Sequence, residues 1–469
     1  MPVSTTNNEY LKFAPDWKLC RDVCNGSKAI KAGKTQYLPK PSGMSEEDYN
    51  GYLLRANFKP FTGRSTECLV GLMGIKPLIK EVPDGLMDYL DNVDGQGTNL
   101  DTFVENIAKD CVITNWGGIL VDAPIGQGES IAQAEEMGLY PYISFYKAES
   151  IINTKYTTIN RNKVLSMVVL QENVSKPTED KFADDTVVQY RVLELSKDGI
   201  YQQTVYDDKE NVVSAVIPKK MGKPLNHIPF YFLPENHPSI SMVQNLADVN
   251  LSHYRKSADL ENGAHWTGVP TPYCRGYVPD KKYDEDGKVI PAEPVVLGGS
   301  QFLFFPKGAD EINYLEFSGQ GCNLLRQMML DDEDTMALLG ARIIATEKKG
   351  VESAETAKIH RSGENSVLAT FANKISHGIT LAIREYLEWT VARKITEAVN
   401  IQVNTDYNLE GMDSSTLTAL MGTWQKGGIS KRTLFENLQK GEIISTNKTF
   451  EDEQQEIEEE GVAPISDMM

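Results

Sequence analysis

The clearest pattern along the chain is a pair of long helical segments separated by a stretch of strand-forming residues. In the first segment, apolar and small side chains recur at roughly helical spacing, at Leu246, Val249, Leu251, Ala258 and Leu260. No proline interrupts it before Pro270, and Gly263 and Gly268 lie near its end, as helix stop signals do. A second helical pattern begins near Gly321. The sequence therefore predicts a helix, a β-rich excursion and a returning helix.

The distribution of proline separates a mixed first part of the chain from a helical last part. Of the 22 prolines, 21 lie at or before Pro306, and the next is Pro464. Because proline inside a helix costs about 3 kcal/mol, residues 307–463 are predicted to be largely helical. A third helix is predicted from about Ala357 to Val399, since it carries an apolar stripe at helical spacing.

The first part of the chain mixes helical and strand patterns. Residues 101–116 predict a helix, and the GGILVDAP that follows predicts a short buried strand. Runs rich in valine and tyrosine then predict strands, including a hairpin about the polar turn 207–211. Near the end, Ser430 has the position of a helix cap, and the acidic run 451–460 predicts a frayed helix or a disordered tail. We therefore expect an α+β fold.

Several segments resemble one family of proteins, the portal proteins of tailed phages and prophages. The resemblance is carried by LADVNLSHYRKSADLENGAHWTGVPTPY, by ALLGARIIAT followed by ESAETAK, and by GGISKRTLFENLQKGEII. YNGYLLRANFKPFTGRSTECLVGLMGIKP and DNVDGQGTNLDTFVENIAKDCVITNWGGILVDAP extend it towards the N-terminus. These are packing and turn patterns with no catalytic signature, and their collinearity over most of the chain makes the resemblance specific.

The resemblance implies the portal fold, with an α/β wing, a two-helix stem, a β-rich clip, a long wing helix and a small helical crown. Along the chain, the implied segments are the N-terminal α/β wing (1–238), the first stem helix (239–269), the clip (270–319), the second stem helix (320–345), a tunnel loop (346–356), the long wing helix (357–405), the helical crown (406–450) and a flexible acidic tail (451–469).

The resemblance also implies a function without catalysis. Portal proteins form a ring of identical subunits, twelve in the virion, at one vertex of the capsid, and the ring is assembled in the host cytoplasm. Double-stranded DNA passes through the ring during packaging and ejection. The implied partners are the major capsid protein and scaffold, terminase, and then a head–tail adaptor. No membrane, cofactor or metal belongs to this expectation.

A short basic loop is the first candidate functional segment. Lys348, Lys349 and Gly350 stand where the resemblance places the tunnel loop, which reaches into the channel and touches DNA. The residues alone predict a basic helix C-terminus stabilised by the helix dipole and followed by a flexible glycine. Both interpretations stay open.

Acidic residues are the second candidate feature. A formal net charge of −19 argues against duplex binding through a basic face, and suits either simple solubility or a channel wall that repels phosphate. Asp331, Asp332 and Asp334 lie in the second long helix, where they form either a solvated face or a stripe facing the channel. Consecutive helical residues diverge by about 100°, so we expect no metal site there.

The third candidate feature is the apolar run Phe302, Leu303, Phe304 and Phe305 in the β-rich excursion. Such a run needs a partner strand unless it is buried within one subunit. By resemblance it lies in the clip, and we expect it to interlock neighbouring subunits.

Motifs for catalysis and metal binding are weak in this sequence. Gly126-Gln127-Gly128 lacks the third glycine of a dinucleotide loop, and the histidines form no triad. Residues 94–97 predict a turn, since the twelfth position of the corresponding calcium loop is Phe103 instead of Glu. The six cysteines show no metal-ligand spacing and are expected to be free thiols. Two alternatives stay open: an acidic virion scaffold or adaptor, and a cytosolic enzyme with a helical accessory domain.

Overall fold

A computed structural model of the chain describes residues 2–83, 85–124, 140–159, 161–178, 182, 184–220, 222–268, 271–275, 303–305, 311–315, 320–344, 367–390, 393–407, 414–441, 443–444 and 448–459. The chain divides into two compact units, Met1–Thr405 and Asp406–Met469. It contains both helices and sheets, which confirms the predicted α+β class. No helix among the described residues is long and apolar enough to span a membrane.

Helices with polar caps open the first unit. They are α1 (Asn8–Asn25), α2 (Ser27–Ala32), α3 (Glu46–Arg55), α4 (Phe61–Met73) and α5 (Leu100–Thr114), with 3-10 turns at Lys34–Gln36, Met87–Leu90 and Ala148–Ser150. The side chains of Asn7, Ser45 and Asn99 accept hydrogen bonds from backbone N–H groups in the first turns of α1, α3 and α5. Asp94 accepts from the backbone of Gln96 and Thr98, which confirms the predicted turn before α5.

A small antiparallel sheet forms the centre of the core. Its order is β11 (Phe230–Leu233), β2 (Gly117–Asp122), β3 (Tyr142–Lys147), and every residue of β2 is buried, as the sequence predicted. A Cβ on Gly118 would stand 2.3 Å from the ring of Phe230, so only glycine fits there. Trp17 of α1 stacks on Trp116 at 5.6 Å, and Trp116 stacks on Phe232.

A five-stranded antiparallel meander lies beside this core. It consists of β4 (Ile151–Ile159), β5 (Asn162–Pro177), β6 (Asp184–Leu195), β7 (Tyr201–Tyr206) and β8 (Val212–Val216), paired in that order. The turn between β7 and β8 is stabilised by Asp207, which accepts hydrogen bonds from the backbone of Lys209 and Asn211. The predicted hairpin is therefore confirmed. Strands β9 (Lys219–Lys220) and β10 (Lys223–Pro224) form a separate short pair.

The paired long helices occupy the middle of the chain. Helix α6 spans Gln244–Thr267 and helix α7 spans Gln320–Ile344, close to the predicted bounds. Between them, β12 (Thr271–Arg275) pairs in parallel with β13 (Leu303–Phe305) and antiparallel with β14 (Glu311–Leu315). The predicted order of helix, β-rich segment and helix is confirmed for the residues that the structure describes.

The third long helix ends earlier than predicted, and its predicted start at Ala357 lies outside the described residues. Helix α8 spans Val367–Leu387 and is followed by α9 (Arg393–Thr396), so the prediction of one helix to Val399 is wrong. The backbone N–H of Thr390 bonds the carbonyl of Leu387, a tighter turn that ends the helix. Residues Asn400–Gln402 instead form β15, which pairs with β1 (Ile79–Glu81), and Thr380 of α8 exchanges hydrogen bonds with the backbone of Ile401.

The second unit is helical, with α10 (Ser414–Gln425), α11 (Lys431–Lys440) and α12 (Phe450–Glu459). Ser430 caps α11, as the sequence predicted, and Thr449 caps α12. At the start of α12, the ring of Phe450 meets the buried Phe435 edge-on at 5.5 Å. An acidic helix with one aromatic anchor is the result.

Candidate functional surface on the paired long helices

The base of α6 is fixed to the core by a buried amide. Asn250 has no exposed surface, and its Oδ1 accepts from the backbone N–H of Thr62 at 3.1 Å and from the Thr62 hydroxyl at 3.0 Å. Its Nδ2 donates to the carbonyl of Lys59 at 3.0 Å. The side chain therefore satisfies the start of α4 while it holds α6 in place.

A hydrogen bond and an ion pair join α6 to α7 above this base. The Nε2–H of His253 donates to Oε1 of Glu333 at 3.1 Å, and Lys59 reaches the same oxygen at 2.6 Å. Lys256 pairs with Asp332 at 2.6 Å. Because His253 is fully buried and Lys256 and Asp332 are mostly buried, these contacts fix the two helices in register.

Burial keeps His253 neutral. Loss of water lowers its pKa below the ordinary 6.5, against the raising effect of Glu333. Glu333 in turn has a lowered pKa, mainly because Lys59 donates a hydrogen bond to it. No group among the described residues bonds Nδ1 of His253, so a second proton there would be a buried donor without an acceptor.

We expect the helix pair to lose stability on mild acidification. In the unfolded chain His253 takes up a proton near its ordinary pKa of 6.5, whereas in the folded chain its lowered pKa keeps it neutral to lower pH. Because the unfolded state then binds more protons, the stability of the fold falls as the pH drops below that value. The wild-type melting temperature should therefore fall more than that of His253→Gln, a substitution that keeps a donor for Glu333, between about pH 7.5 and about pH 5.5. Equal slopes in the two proteins would show that His253 does not contribute.

Burial fades towards the end of the helix pair that leads to the strands. On α6, no described side chain beyond Ala258 is buried. On α7, only Met336 and Ile343 are buried among the described side chains of residues 320–343. The strand end of the pair therefore leaves the buried core, and α3 still contacts α6 there through Tyr52 to Asp259 and Arg55 to Asn262.

The outer side of α7 carries exposed aliphatic side chains. Leu324 is 63% exposed, Met328 40% and Leu338 52%, at positions that share one side of a helix. Asp331 and Thr335 lie on the same side. Exposed aliphatic residues repeated at helical spacing are typical of a surface that another helix covers.

The candidate acidic residues separate in this setting. Asp331 and Asp334 are exposed, and Asp331 accepts a hydrogen bond from Gln327 one turn away. Asp332 points towards α6, where Lys256 neutralises it. No observation places Asp331 or Asp334 in a channel, so that role stays a prediction.

The other candidate residues are only partly within the described structure. Leu303, Phe304 and Phe305 form β13, next to β12, as backbone strands. Phe302 lies outside the described residues. The candidate tunnel loop, Lys348, Lys349 and Gly350, also lies outside the described residues.

Sequence reasoning missed the polar residues that hold the helix pair. Asn250, His253 and Ser257 recur at intervals of three and four along α6, and all three are buried. A polar side chain repeated at helical spacing within an apolar stripe is the signal that could have found them. Among the described residues, no group of three or more His, Cys, Asp or Glu side chains could hold a metal ion.

The helix pair lies within a region that matches a protein-family model. Residues 243–390 match the family described as a domain of unknown function, DUF4055, which runs from the residue before α6 to just beyond α8. No curated protein matches the chain. The match covers less than half of the sequence.

Three solved structures of gene transfer agent (GTA) particles contain a chain similar to this one. They are a virion of the native particle (11% identity, 86% of this chain, 96% of the other, TM-score 0.36), the neck of the empty particle computed with C6 symmetry (11%, 86%, 96%, 0.38) and the neck of the native particle computed with C12 symmetry (11%, 87%, 97%, 0.35). At these scores the similarity supplies no argument about function.

Proposed function

We propose that this chain is the portal protein of a phage-like particle, a non-enzymatic ring at one capsid vertex through which DNA is packaged and ejected. The observation that carries the proposal is the α6–α7 pair. It is anchored at one end, leaves the core at the other, and presents exposed aliphatic side chains that no described residue of its own subunit covers. A neighbouring copy of the same helix pair would cover them.

The proposed mechanism is geometric. In a closed ring each subunit contacts the next through two different surfaces, and the long helices surround a central channel. Asp331 and Asp334 would add negative charge to the channel wall, which repels phosphate and so keeps passing DNA from binding tightly at any one place. Asp332 would add little, because Lys256 neutralises it.

The remaining segments take roles by resemblance. Residues 270–319 would be the clip, which docks terminase and later a head–tail adaptor. Residues 1–238 and α8 would form the wing, facing the major capsid protein and scaffold, and residues 406–450 would form the crown. Twelve subunits would complete the ring in the virion.

The candidate tunnel loop gives a test of DNA contact. Changing Lys348 and Lys349 to Glu should leave assembly intact, because residues 347–350 of the sequence contain no apolar residue. One exposed contact with phosphate is weak, about 1 kcal/mol or less, but a ring presents many at once. We therefore expect reduced packaging in an infectivity or DNA-packaging assay. Unchanged packaging by intact rings would leave only the helix-capping role.

The assembly state tests the proposal as a whole. The purified chain should have a mass close to a whole multiple of the 52.3 kDa subunit, as measured by light scattering or native mass spectrometry. A stable monomer across the micromolar range would contradict the proposed function.

A further inference from the structure

An unusual edge strand lies at the end of the five-stranded meander. Strand β8 pairs with β7 and, among the strands that the structure describes, with no other. Val212 is 59% exposed, Val213 63% and Ile217 50%, and consecutive residues of a strand point to opposite faces. Val213, Ala215 and Ile217 are all exposed at alternate positions, so this face of the segment is apolar and open to solvent.

This composition belongs to an interior strand. Strands buried on both faces read as continuous apolar runs, whereas natural edge strands carry charges or proline that prevent pairing. No charged residue occurs from Val212 to Ile217, and the first proline is Pro218. The register shift at Tyr206 disturbs only the start of β8 and leaves Ser214–Val216 in regular pairing. The shift forms a β-bulge at Val212–Val213, which protects the start of the edge, but Ser214–Val216 carry no bulge, charge or proline, so another strand can pair with this part of the edge.

The opposite end of the same sheet offers a strand pair that extends past its neighbours. β4 pairs with β5 back to Asn162, but β6 pairs with β5 only from Met167 onwards. Residues 156–165 are therefore a two-stranded hairpin, called here the β4–β5 arm, and β5 within it has no described strand on its β6 side. Thr157 and Thr158, both exposed, are β-branched residues that pair well across strands.

The two ends of the sheet also carry opposite charge. Residues 153–166, which include the arm, contain Lys155, Arg161 and Lys163 and no acidic residue. The turn that leads into β8 contains three acidic residues, Asp207, Asp208 and Glu210, and one basic residue, Lys209. In a chain with a net charge of −19, a basic arm is a local exception. A basic hairpin and an acidic turn attract each other when they come from different copies.

We infer that β8 is the docking strand for the β4–β5 arm of a second copy of this chain. The arm adds a strand to the β8 edge and covers Val213, and its basic end lies beside the acidic turn at Asp208. This inference rests on the proposed ring, which requires two different surfaces on each subunit. It assigns one of the two contacting surfaces to each end of the same sheet.

The first test blocks the edge. Val213→Lys introduces a charge at an exposed strand position, and Leu54→Lys is a matched control at a site that is 74% exposed on α3. By native mass spectrometry across a dilution series, Val213→Lys should raise the concentration at which rings dissociate by about tenfold or more. Leu54→Lys should leave it unchanged, and both variants should melt as the wild type does. If the wild type forms rings and Val213→Lys rings dissociate at the same concentration, the inference about β8 is wrong, whereas the proposed ring stands.

The second test identifies the occupant. Arg161→Glu and Asp208→Lys alter exposed side chains, and each alone should weaken the rings. The double variant should recover most of the loss, because the reversed charges attract again. Weakening without recovery would assign β8 to a segment other than the arm. A wild-type chain that never forms rings would contradict the proposed function itself, and this inference with it.

Discussion

Replacing Asn250 by alanine should lower the free energy of unfolding by about 3 kcal/mol, one of the largest effects of any single polar substitution in the first unit. The change leaves the Thr62 backbone N–H, the Thr62 hydroxyl and the Lys59 carbonyl without their partner. Thr62 and Asn250 have no exposed surface, so the Thr62 backbone N–H would be a buried donor without an acceptor. The base of the helix pair would then be loosened where it joins the core.

A matched substitution on the same helix controls for helix propensity. Asn245 is exposed one turn before Asn250, and Asn245→Ala should change the free energy of unfolding by about 0.5 kcal/mol or less. Chemical denaturation of both variants, analysed with the same dependence of the free energy of unfolding on denaturant concentration, gives the difference in that free energy. A loss for Asn250→Ala no greater than for Asn245→Ala would mean that α6 is held by other contacts.

The second large effect is expected on assembly, without a loss of folding. Leu338 is 52% exposed on α7, so Leu338→Asp removes little packing within the subunit. In the proposed ring the substitution removes about 2 kcal/mol of apolar burial at every interface. It also places a negative charge against the next subunit, which is itself acidic. Because each ring contains many such interfaces, we expect the ring fraction at micromolar concentration to fall by about tenfold or more.

Leu11→Asp is the control for this effect. Leu11 is 60% exposed on α1, away from the helix pair, so the same substitution there should leave the assembly unchanged. Size-exclusion chromatography with light scattering measures both variants, and thermal melting confirms that they fold. If Leu338→Asp assembles as the wild type does, the outer side of α7 is not a subunit interface.

The elements of the fold were largely predictable because each has a local cause. The caps of α11 and α12, the β7–β8 turn and the wholly buried β2 are all specified by residues within a few positions. The end of α8 was not predictable in the same way. Strand β15 exists because β1, far earlier in the chain, pairs with it and because Thr380 bonds Ile401. Such long-range partners override local helical preference.

The candidate site shows the same division. The long helices and their order followed from apolar spacing, whereas the roles of the acidic residues depended on which element lies opposite. Asp332 and Asp331 are adjacent in sequence, yet Lys256 pairs with one and solvent surrounds the other. A shift of helix phase by one residue would exchange them, and the sequence alone does not specify that phase. The sequence likewise identifies His253 only as a helical residue, because its partner Glu333 lies on the other helix.

Direct imaging of the purified chain is the measurement closest to the central proposal. Negative-stain electron microscopy followed by averaging in projection shows whether the subunits surround a hole. We expect closed rings with a central channel for the wild type. Leu338→Asp should lose these rings, whereas Leu11→Asp should keep them. Compact particles without a hole, or monomers at every concentration, would contradict the portal assignment.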